Sequence, residues 1–417
     1  MPIEFGDILV YVVTLFGIYT ALFFIITLFQ GRQAYMEMTN KKLKWKPKVC
    51  IIVPCFNEEK TVGKTLESLL KLDYPKKLMD IIVVDDGSSD NTYKVASKYK
   101  KQGVRVFRKK NGGKYTALNL GLKKTNAEVA GALDADSFVH SNALKKMMPY
   151  FEEDDVMAVT PSMKIYKAKN WLQRVQMIEY IIGIFLRKVF ALLGSVHVAP
   201  GPFTLYKTEF FKEHGGYKKA YLTEDIEMAL RIQALHYQIE NTPDAYVHTI
   251  GPSTFKNLYK QRLRWYFGFI QNVLEYKSLF SKQHGNLGMF ILPASFISVF
   301  LVIITLFYTL YKLIESLWKR YIFLKAIDFD FMQMLEFNFD TFFLNFNEAM
   351  ILSLFTIALS VCLIILAKKV ASEEDKIKYS YIIYILVYWV LFGFWWIVAF
   401  YYKLSNKKTR WGHKSSG

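Results

Sequence analysis

The 417-residue sequence predicts an α/β domain with a mostly parallel sheet, combined with a multi-pass α-helical transmembrane region. Three observations carry this. Short apolar runs alternate with segments of helical spacing from Val49 to Leu133. A polar cluster follows each apolar run. Uncharged stretches long enough to cross a bilayer flank the whole. Alternating strands and helices argue for parallel strands covered on both faces, and about 20 apolar residues span a hydrocarbon core.

Composition narrows the classes. The chain is 52% hydrophobic and 17% aromatic, with a formal net charge of +18. Such a charge suits nucleic acid, anionic lipid or anionic substrates. The apolar runs are long and no nucleic-acid motif occurs, so the bilayer is the expected partner and nucleic acid is not. Lys and Arg beside spans then account for much of the charge. The 3 cysteines (Cys50, Cys55, Cys362) have neither ligand spacing nor a disulfide framework, and the 7 histidines are scattered, which argues against zinc.

Residues 1–30 read as an N-terminal transmembrane helix, with Ile8 to Phe29 uncharged. Glu4 and Asp7 stand where a cleaved signal peptide would carry basic residues. Arg32, Lys41, Lys42, Lys44, Lys46 and Lys48 follow, and the positive-inside rule puts them and the next domain in the cytoplasm. That domain covers 45–254. Val49 to Phe56, Asp80 to Val84, Val104 to Phe107 and Glu128 to Leu133 read as strands. Thr61 to Leu72, Asn91 to Lys101 and Gly113 to Lys123 read as helices. Asn170 to Leu193 has one strong apolar face interrupted by Arg174, Glu179, Arg187 and Lys188, which suits a helix in the membrane interface or an ordinary core helix. Val198 to Tyr206 returns to extended sequence.

Residues 255–280 form a second amphipathic interface helix. On it Gln261, Arg264 and Trp265, at i, i+3 and i+4, share a face. Residues 287–402 contain at least three spans, over Leu287 to Leu310 (where Pro293 invites a kink), Ala349 to Ala367 and Tyr379 to Phe400. Tyr311 to Glu348 reads as an outer loop with interfacial helices. The basic tail, 403–417, would end outside the cell with four spans, against the positive-inside rule. A further span within Tyr311 to Glu348 would remove that conflict, and the side of the C-terminus stays open.

The chemistry-bearing residues sit at strand ends, where ligands bind in open α/β sheets. Gly131-Ala132-Leu133-Asp134-Ala135-Asp136 places two carboxylates at i and i+2, on one side of an extended chain. Hard oxygens suit Mg²⁺ or Mn²⁺ shared with a substrate diphosphate. Asp85-Asp86-Gly87-Ser88 and Asn57-Glu58 offer acceptors to a base N–H and to ribose hydroxyls. Lys114 opens a helix through Gly112-Gly113, where its charge and the helix N–H groups meet phosphate. Thr223-Glu224-Asp225 opens another helix, either as a cap or as the carrier of a general base. Arg264 matches diphosphate oxygens, and Trp265 offers a flat face to a sugar ring.

The ordered set Asp-Asp-Gly-Ser, Lys-x-x-Ala-Leu-Asn (Lys114 to Asn119), Asp-Ala-Asp, Thr-Glu-Asp and Gln-Arg-Leu-Arg-Trp resembles family 2 glycosyltransferases of the GT-A fold. More narrowly it resembles the membrane-embedded processive synthases of hyaluronan, chitin, cellulose and poly-N-acetylglucosamine, over roughly Val49 to Phe269. The resemblance implies a nucleotide-diphospho-sugar transferase in the cell membrane with a cytoplasmic catalytic domain. It implies that Phe56, Glu58 and Asp86 hold the uridine and that Lys114 lies near the uracil and diphosphate. Asp134 and Asp136 would bind nucleotide and metal, with Asp136 the direct ligand. Asp225, beside Glu224, would be the base. Gln261 and Arg264 would hold the diphosphate, Trp265 would stack under the acceptor sugar, and Gly201-Pro202-Phe203-Thr204 would be the acceptor-side loop. The expected partners are a UDP-sugar, a polysaccharide or oligosaccharide acceptor and the lipid bilayer. The expected activity is inverting transfer to a growing β-linked polysaccharide, coupled to export. The alternatives are transfer of a single sugar to a lipid carrier or glycolipid and, from a different class, a transporter with a nucleotide-sensing domain. One departure from the resemblance is that no C-terminal regulatory domain like that of bacterial cellulose synthases is expected here, so control by cyclic dinucleotide is not expected either.

Overall fold

The computed structural model describes residues 4–41, 43–326, 348–373 and 378–407. Lys42, the aromatic stretch 327–347 and the basic tail beyond 407 lie outside the described residues. In chain order the larger elements are α1 (Phe5–Gln30), α2 (Arg32–Asn40), β1 (Val49–Cys55), α3 (Val62–Leu70), β2 (Met79–Asp85), α4 (Thr92–Ser97), β3 (Arg105–Arg108), α5 (Lys114–Lys123), β4 (Val129–Ala132), β5 (Ser137–Val139) and α6 (Ala143–Met147). Then come β6 (Val156–Ile165), α7 (Trp171–Leu192), β7 (Leu205–Lys207), α8 (Thr208–His214), α9 (Glu224–Ala234), β8 (Gln238–Thr249), α10 (Phe255–Glu275), α11 (Leu292–Ala326), α12 (Glu348–Val370) and α13 (Lys378–Leu404).

The strands form one 8-stranded sheet in the order β3-β2-β1-β4-β7-β6-β8-β5. β1 runs parallel to both β2 and β4, and β2 to β3. β7 is antiparallel to β4 and β6, and β5 to β8, while β6 and β8 are parallel. The mostly parallel sheet is therefore as expected, with the antiparallel pairs on the β7 and β5 side. The central strands are apolar on both faces because both faces are covered. Val49, Ile51, Val53 and Cys55 of β1 pack with α3 and α6, whereas Cys50 and Ile52 pack with α5 and α9. This is the two-residue period of the pleat read directly as two cores. The chain departs from β1 in both directions along the sheet, to β2 and to β4. The crevice outside those strand ends is the switch point where ligands bind.

Among the described residues four helices are long and apolar enough to cross a membrane: Phe5–Gln30, Leu287–Ala326, Glu348–Val370 and Ser380–Leu404. The second of these corrects one expectation. Tyr311 to Ala326 is not loop but the continuation of α11, which is 35 residues long. Its exposed end is held by Lys312 and Lys319, which pair with Glu315 at 3.1 and 2.6 Å across one helical turn. Pro293 lies within this continuous helix, where a π-helical turn over Leu287–Ile291 gives way to α11.

The two amphipathic helices join the sheet to the apolar helices. α7 packs on β6 and β8 and also on α1, α12 and α13. Asn170 caps it, accepting from the Gln173 N–H at 2.9 Å. Arg174 faces solvent, but the other charged residues do not make a solvated face: Lys188 is buried, with Nζ 3.3 Å from the Asn241 carbonyl, and Glu179 pairs with α10. α10 lies along α13, with Tyr259 and Tyr266 against Trp395 and Trp396.

Candidate active site

One cavity of about 680 Å³ opens at the switch point and reaches in among α1, α11 and α13. Phe56, Glu58, Asp86, Lys114, Asp134, Asp136, Gly201, Glu224, Asp225, Gln261, Arg264 and Trp265 all line it. Residues separated by more than 200 positions thus converge because their strands and helices end at one place.

Asp134 and Asp136 follow β4. The turn is fixed from beneath by Thr65, whose buried hydroxyl donates to the Ala135 carbonyl at 2.8 Å. Gly131 within β4 is needed for space, since a Cβ there would lie 2.3 Å from the Thr204 carbonyl oxygen. The missing side chain lets the 200–204 loop cross the end of β4, where the Phe203 N–H donates to the Ala132 carbonyl at 2.6 Å. Phe203 is buried and left-handed, φ 66°, a strained conformation of the kind that collects at ligand sites. The loop delivers Gly201 into the cluster. A Cβ on Gly201 would lie 3.3 Å from Lys114 Nζ, 3.6 Å from Asp225 Oδ2 and 3.9 Å from Asp134 Oδ2.

Lys114 bridges the two halves. Its Nζ is 2.6 Å from Asp134 Oδ1 and 3.3 Å from Glu224 Oε1. Burial alone would pull the ammonium down, but Asp134, Glu224 and Asp225 together hold it above the usual lysine range. Burial and the neighbouring charges of Asp134 and Glu58 push the Asp136 carboxyl up to about 7, against the smaller pull of Ser137 and Lys114. Burial and, secondly, Asp134 also raise Glu58, whose Oε2 accepts from the Thr61 hydroxyl at 2.5 Å. Crowded carboxylates that strain against ionisation fit a divalent cation, since a hard dication relieves that repulsion. Among the described residues no three His, Cys, Asp or Glu side chains close around one ion. Asp134 and Asp136 would be the protein's share, and diphosphate and water the rest.

Asp225 sits in the first turn of α9. The capping explanation for this segment does not hold for Thr223, whose hydroxyl donates to the Ala220 carbonyl at 2.9 Å and accepts from Asn272 at 2.8 Å instead. Asp225 Oδ1 accepts the Ile226 N–H at 3.0 Å, and Oδ2 accepts the Gly201 N–H at 3.1 Å. Burial and Glu224 raise its carboxyl above the usual aspartate range, opposed by Lys114 and Arg264. Arg264 Nη1 donates to the Leu222 carbonyl at 3.2 Å, leaving the rest of its fork at the cavity. The buried Gln261 Oε1 has no hydrogen-bond partner, a polar atom waiting for a ligand group.

Asp86 lines the cavity, but its carboxylate is engaged. It pairs with Lys109 at 2.5 Å and accepts the Gly113 N–H at 2.8 Å and the Gly112 N–H at 3.1 Å. It thereby shapes the turn that aims Lys114, with Gly113 at φ +93° where a side chain would be strained. Lys109 is one residue that sequence reasoning missed. Asn119 proves to be a brace, exchanging hydrogen bonds of 2.8 Å with both backbone groups of Tyr217. Glu179 and Arg262 were also missed. They meet across α7 and α10 at 2.7 Å, and the Arg262 guanidinium lies 4.3 Å from the Trp265 ring centroid. Two charges on different helices at no fixed spacing leave no sequence signal.

Residues 50–215 match the Glycosyl transferase family 2 domain family. The chain carries a glycosyl transferase family 2 domain. It is 36% identical over 222 residues to the poly-beta-1,6-N-acetyl-D-glucosamine synthase of Staphylococcus epidermidis, covering 52% of this chain and 53% of that protein. It is 35% identical over the same length to the enzyme of that name from Staphylococcus aureus strain COL, with the same coverage. The chain thus spans about half the length of the curated relatives it matches. A solved mannosyltransferase from Pyrobaculum calidifontis, in complex with GDP-Man and Mn²⁺, superposes with a TM-score of 0.57. It is 16% identical and covers 95% of this chain and 100% of its own. That likeness shows the fold: the family 2 domain is of the GT-A type, followed by helices long and apolar enough to cross a membrane.

Proposed function

We propose that this protein is an inverting, processive glycosyltransferase that adds N-acetylglucosamine from UDP-N-acetylglucosamine to a growing β-linked polysaccharide. The observation that carries this is the single cavity holding a basic and acidic donor end, a raised carboxylate at Asp225 and the Trp265 indole. The relatives named for poly-N-acetylglucosamine synthesis support the choice of sugar.

Asp225 takes the proton of the acceptor hydroxyl as that oxygen bonds to the anomeric carbon from the face opposite the diphosphate. The bond from the anomeric carbon to the diphosphate oxygen breaks in the same step, and UDP leaves. A base with a raised pKa is well matched to a hydroxyl proton released at neutral pH. Lys114, Arg264 and Gln261, which line the cavity together, meet the diphosphate in this reading, and the two cations stabilise the charge it gains. Asp136, with Asp134 beside it, would hold a divalent cation, which would add to the compensation of that charge. Glu224 keeps Lys114 in place. Phe56 and Glu58 border the region expected for the uridine, and Asp86 acts there through the turn it holds.

The cavity continues from Trp265 to Phe296 and Val299 of α11 and Phe392 and Trp396 of α13. This supports a product path leading into the membrane region, with the family 2 domain on the cytoplasmic side where nucleotide sugars are made available. The test is to incubate the purified full chain with radiolabelled UDP-N-acetylglucosamine and Mn²⁺ or Mg²⁺ and size the product. Long β-linked chains are expected. Label found only in a lipid extract, one sugar per acceptor, would replace this reading by transfer to a lipid carrier.

A further inference from the structure

Within Gln-Arg-Leu-Arg-Trp the two arginines go opposite ways. Arg264 faces Asp225 and the donor end. Arg262 is buried, 3% exposed, three residues before Trp265 and so beneath the same helix face. Its guanidinium lies 4.3 Å from the indole centroid, which is stacking distance for a cation on tryptophan, the best of the aromatic partners. On the far side its Nη2 is 2.7 Å from Glu179 Oε2. Glu179 belongs to α7, the other helix wall of the cavity, and both charges line that cavity.

We propose that Arg262 and Glu179 are positioning residues: their ion pair holds the Trp265 indole by one face, so that an acceptor sugar can stack only on the other. The proposal rests on the reading of this cavity as a sugar-transfer site. A buried ion pair on its own is weak evidence for stability, since apolar residues of similar volume commonly replace one without loss. Here the pair has a geometric consequence that apolar residues would lack. The guanidinium is flat, always charged and already fixed at its outer edge by a carboxylate. It therefore fixes the plane of the ring, and with it the side from which the acceptor hydroxyl approaches Asp225. The binding step then does not have to order a freely turning side chain.

The test uses the full chain in nanodiscs with UDP-N-acetylglucosamine and Mn²⁺, and compares wild type, R262K, R262M and the exchanged pair E179R/R262E. Three quantities are read: UDP affinity, UDP release and product length. R262M is expected to shorten the product about tenfold, the scale of a cation–π contact compounded with a looser ring, with UDP affinity unchanged. R262K, which keeps a cation, should recover part of the length. The exchanged pair can re-form the tie between α7 and α10, but it sets a carboxylate against the indole, so its product should stay short. Full-length product from R262M or from the exchanged pair overturns the proposal, leaving the pair as a tie between helices. If the exchanged protein does not fold, R262M against R262K decides alone, and equal product lengths overturn the proposal. Wild-type protein that releases no UDP from the donor would instead overturn the underlying reading of the site.

Discussion

Gly201 offers the sharpest single-atom probe of the site. Gly201→Ala adds one methyl group at a position that is not left-handed, so the backbone accepts it without strain. That methyl would lie 3.3 Å from Lys114 Nζ, 3.6 Å from Asp225 Oδ2 and 3.9 Å from Asp134 Oδ2. The last two are ordinary contacts, while the first is tight. Lys114 is itself held between Asp134 at 2.6 Å and Glu224 at 3.3 Å, so it yields by a few tenths of an ångström, away from the loop. Fold stability should then change by no more than about 0.5–1 kcal/mol, the usual range for Gly to Ala at a permissive position. Turnover should also fall, by up to roughly 10-fold, because displacement of about 1 Å at a reacting centre can cost about 100-fold and this one is smaller. Coupled-enzyme detection of UDP release gives kcat and KM, and thermal unfolding of the same preparation gives Tm. A variant with wild-type kcat/KM would refute the placement of Gly201 beside the reacting groups. A variant whose Tm collapses would show that the loop, not the chemistry, needs the glycine.

Asp225→Asn should keep UDP binding and lose transfer, as isothermal titration and UDP release would show together. Its Tm should rise at neutral pH. The folded-state pKa of Asp225 lies above its unfolded value, so its contribution to stability is present below the ordinary aspartate pKa and is lost as pH rises through the raised value. The same shift puts the acid limb of kcat/KM above the ordinary aspartate range, since the base must be ionised, and a pH profile flat down to that range would contradict it. Asp136→Asn should abolish turnover with the fold intact by circular dichroism, and EDTA should do the same to the wild type; full activity in either case removes the metal from the account. Trp265→Ala should retain UDP affinity and make little polymer on a sizing gel, through loss of about 1–2 kcal/mol of acceptor stacking.

Much of this site is legible in the sequence because strand ends and short-range spacing encode it. Asp134 and Asp136 do reach one cavity from just beyond β4, but through a turn closed by the Ser137 N–H on the Asp134 carbonyl and not through strand alternation, whereas Gln261, Arg264 and Trp265 meet because i, i+3 and i+4 share a helix face. The expected strands at Val49, Asp80, Val104 and Glu128 appear within a residue or two of β1 to β4. What the spacing does not encode is contact between distant segments. Asp86 reads as a ligand for the base because it follows a strand, yet it accepts from Lys109, Gly112 and Gly113, a pairing set by how β3 leads into α5. Thr223 has the composition of a cap, but Asn272 of α10 takes its hydroxyl into a tertiary hydrogen bond. The extension of α11 beyond Leu310 was hidden for another reason. Charged and aromatic residues look like loop, while pairs such as Lys312–Glu315–Lys319 support an exposed helix just as well.

The central claim is that one cavity joins nucleotide-sugar chemistry to the elongation of a sugar chain. The most direct measurement is the ratio of UDP released to sugar incorporated, together with product length, for the purified full chain given UDP-N-acetylglucosamine and a divalent cation. The account predicts one UDP per sugar and a product many sugars long, sensitive to a glycosidase specific for β-linked N-acetylglucosamine. UDP release without polymer, or a single labelled sugar on lipid, would contradict it.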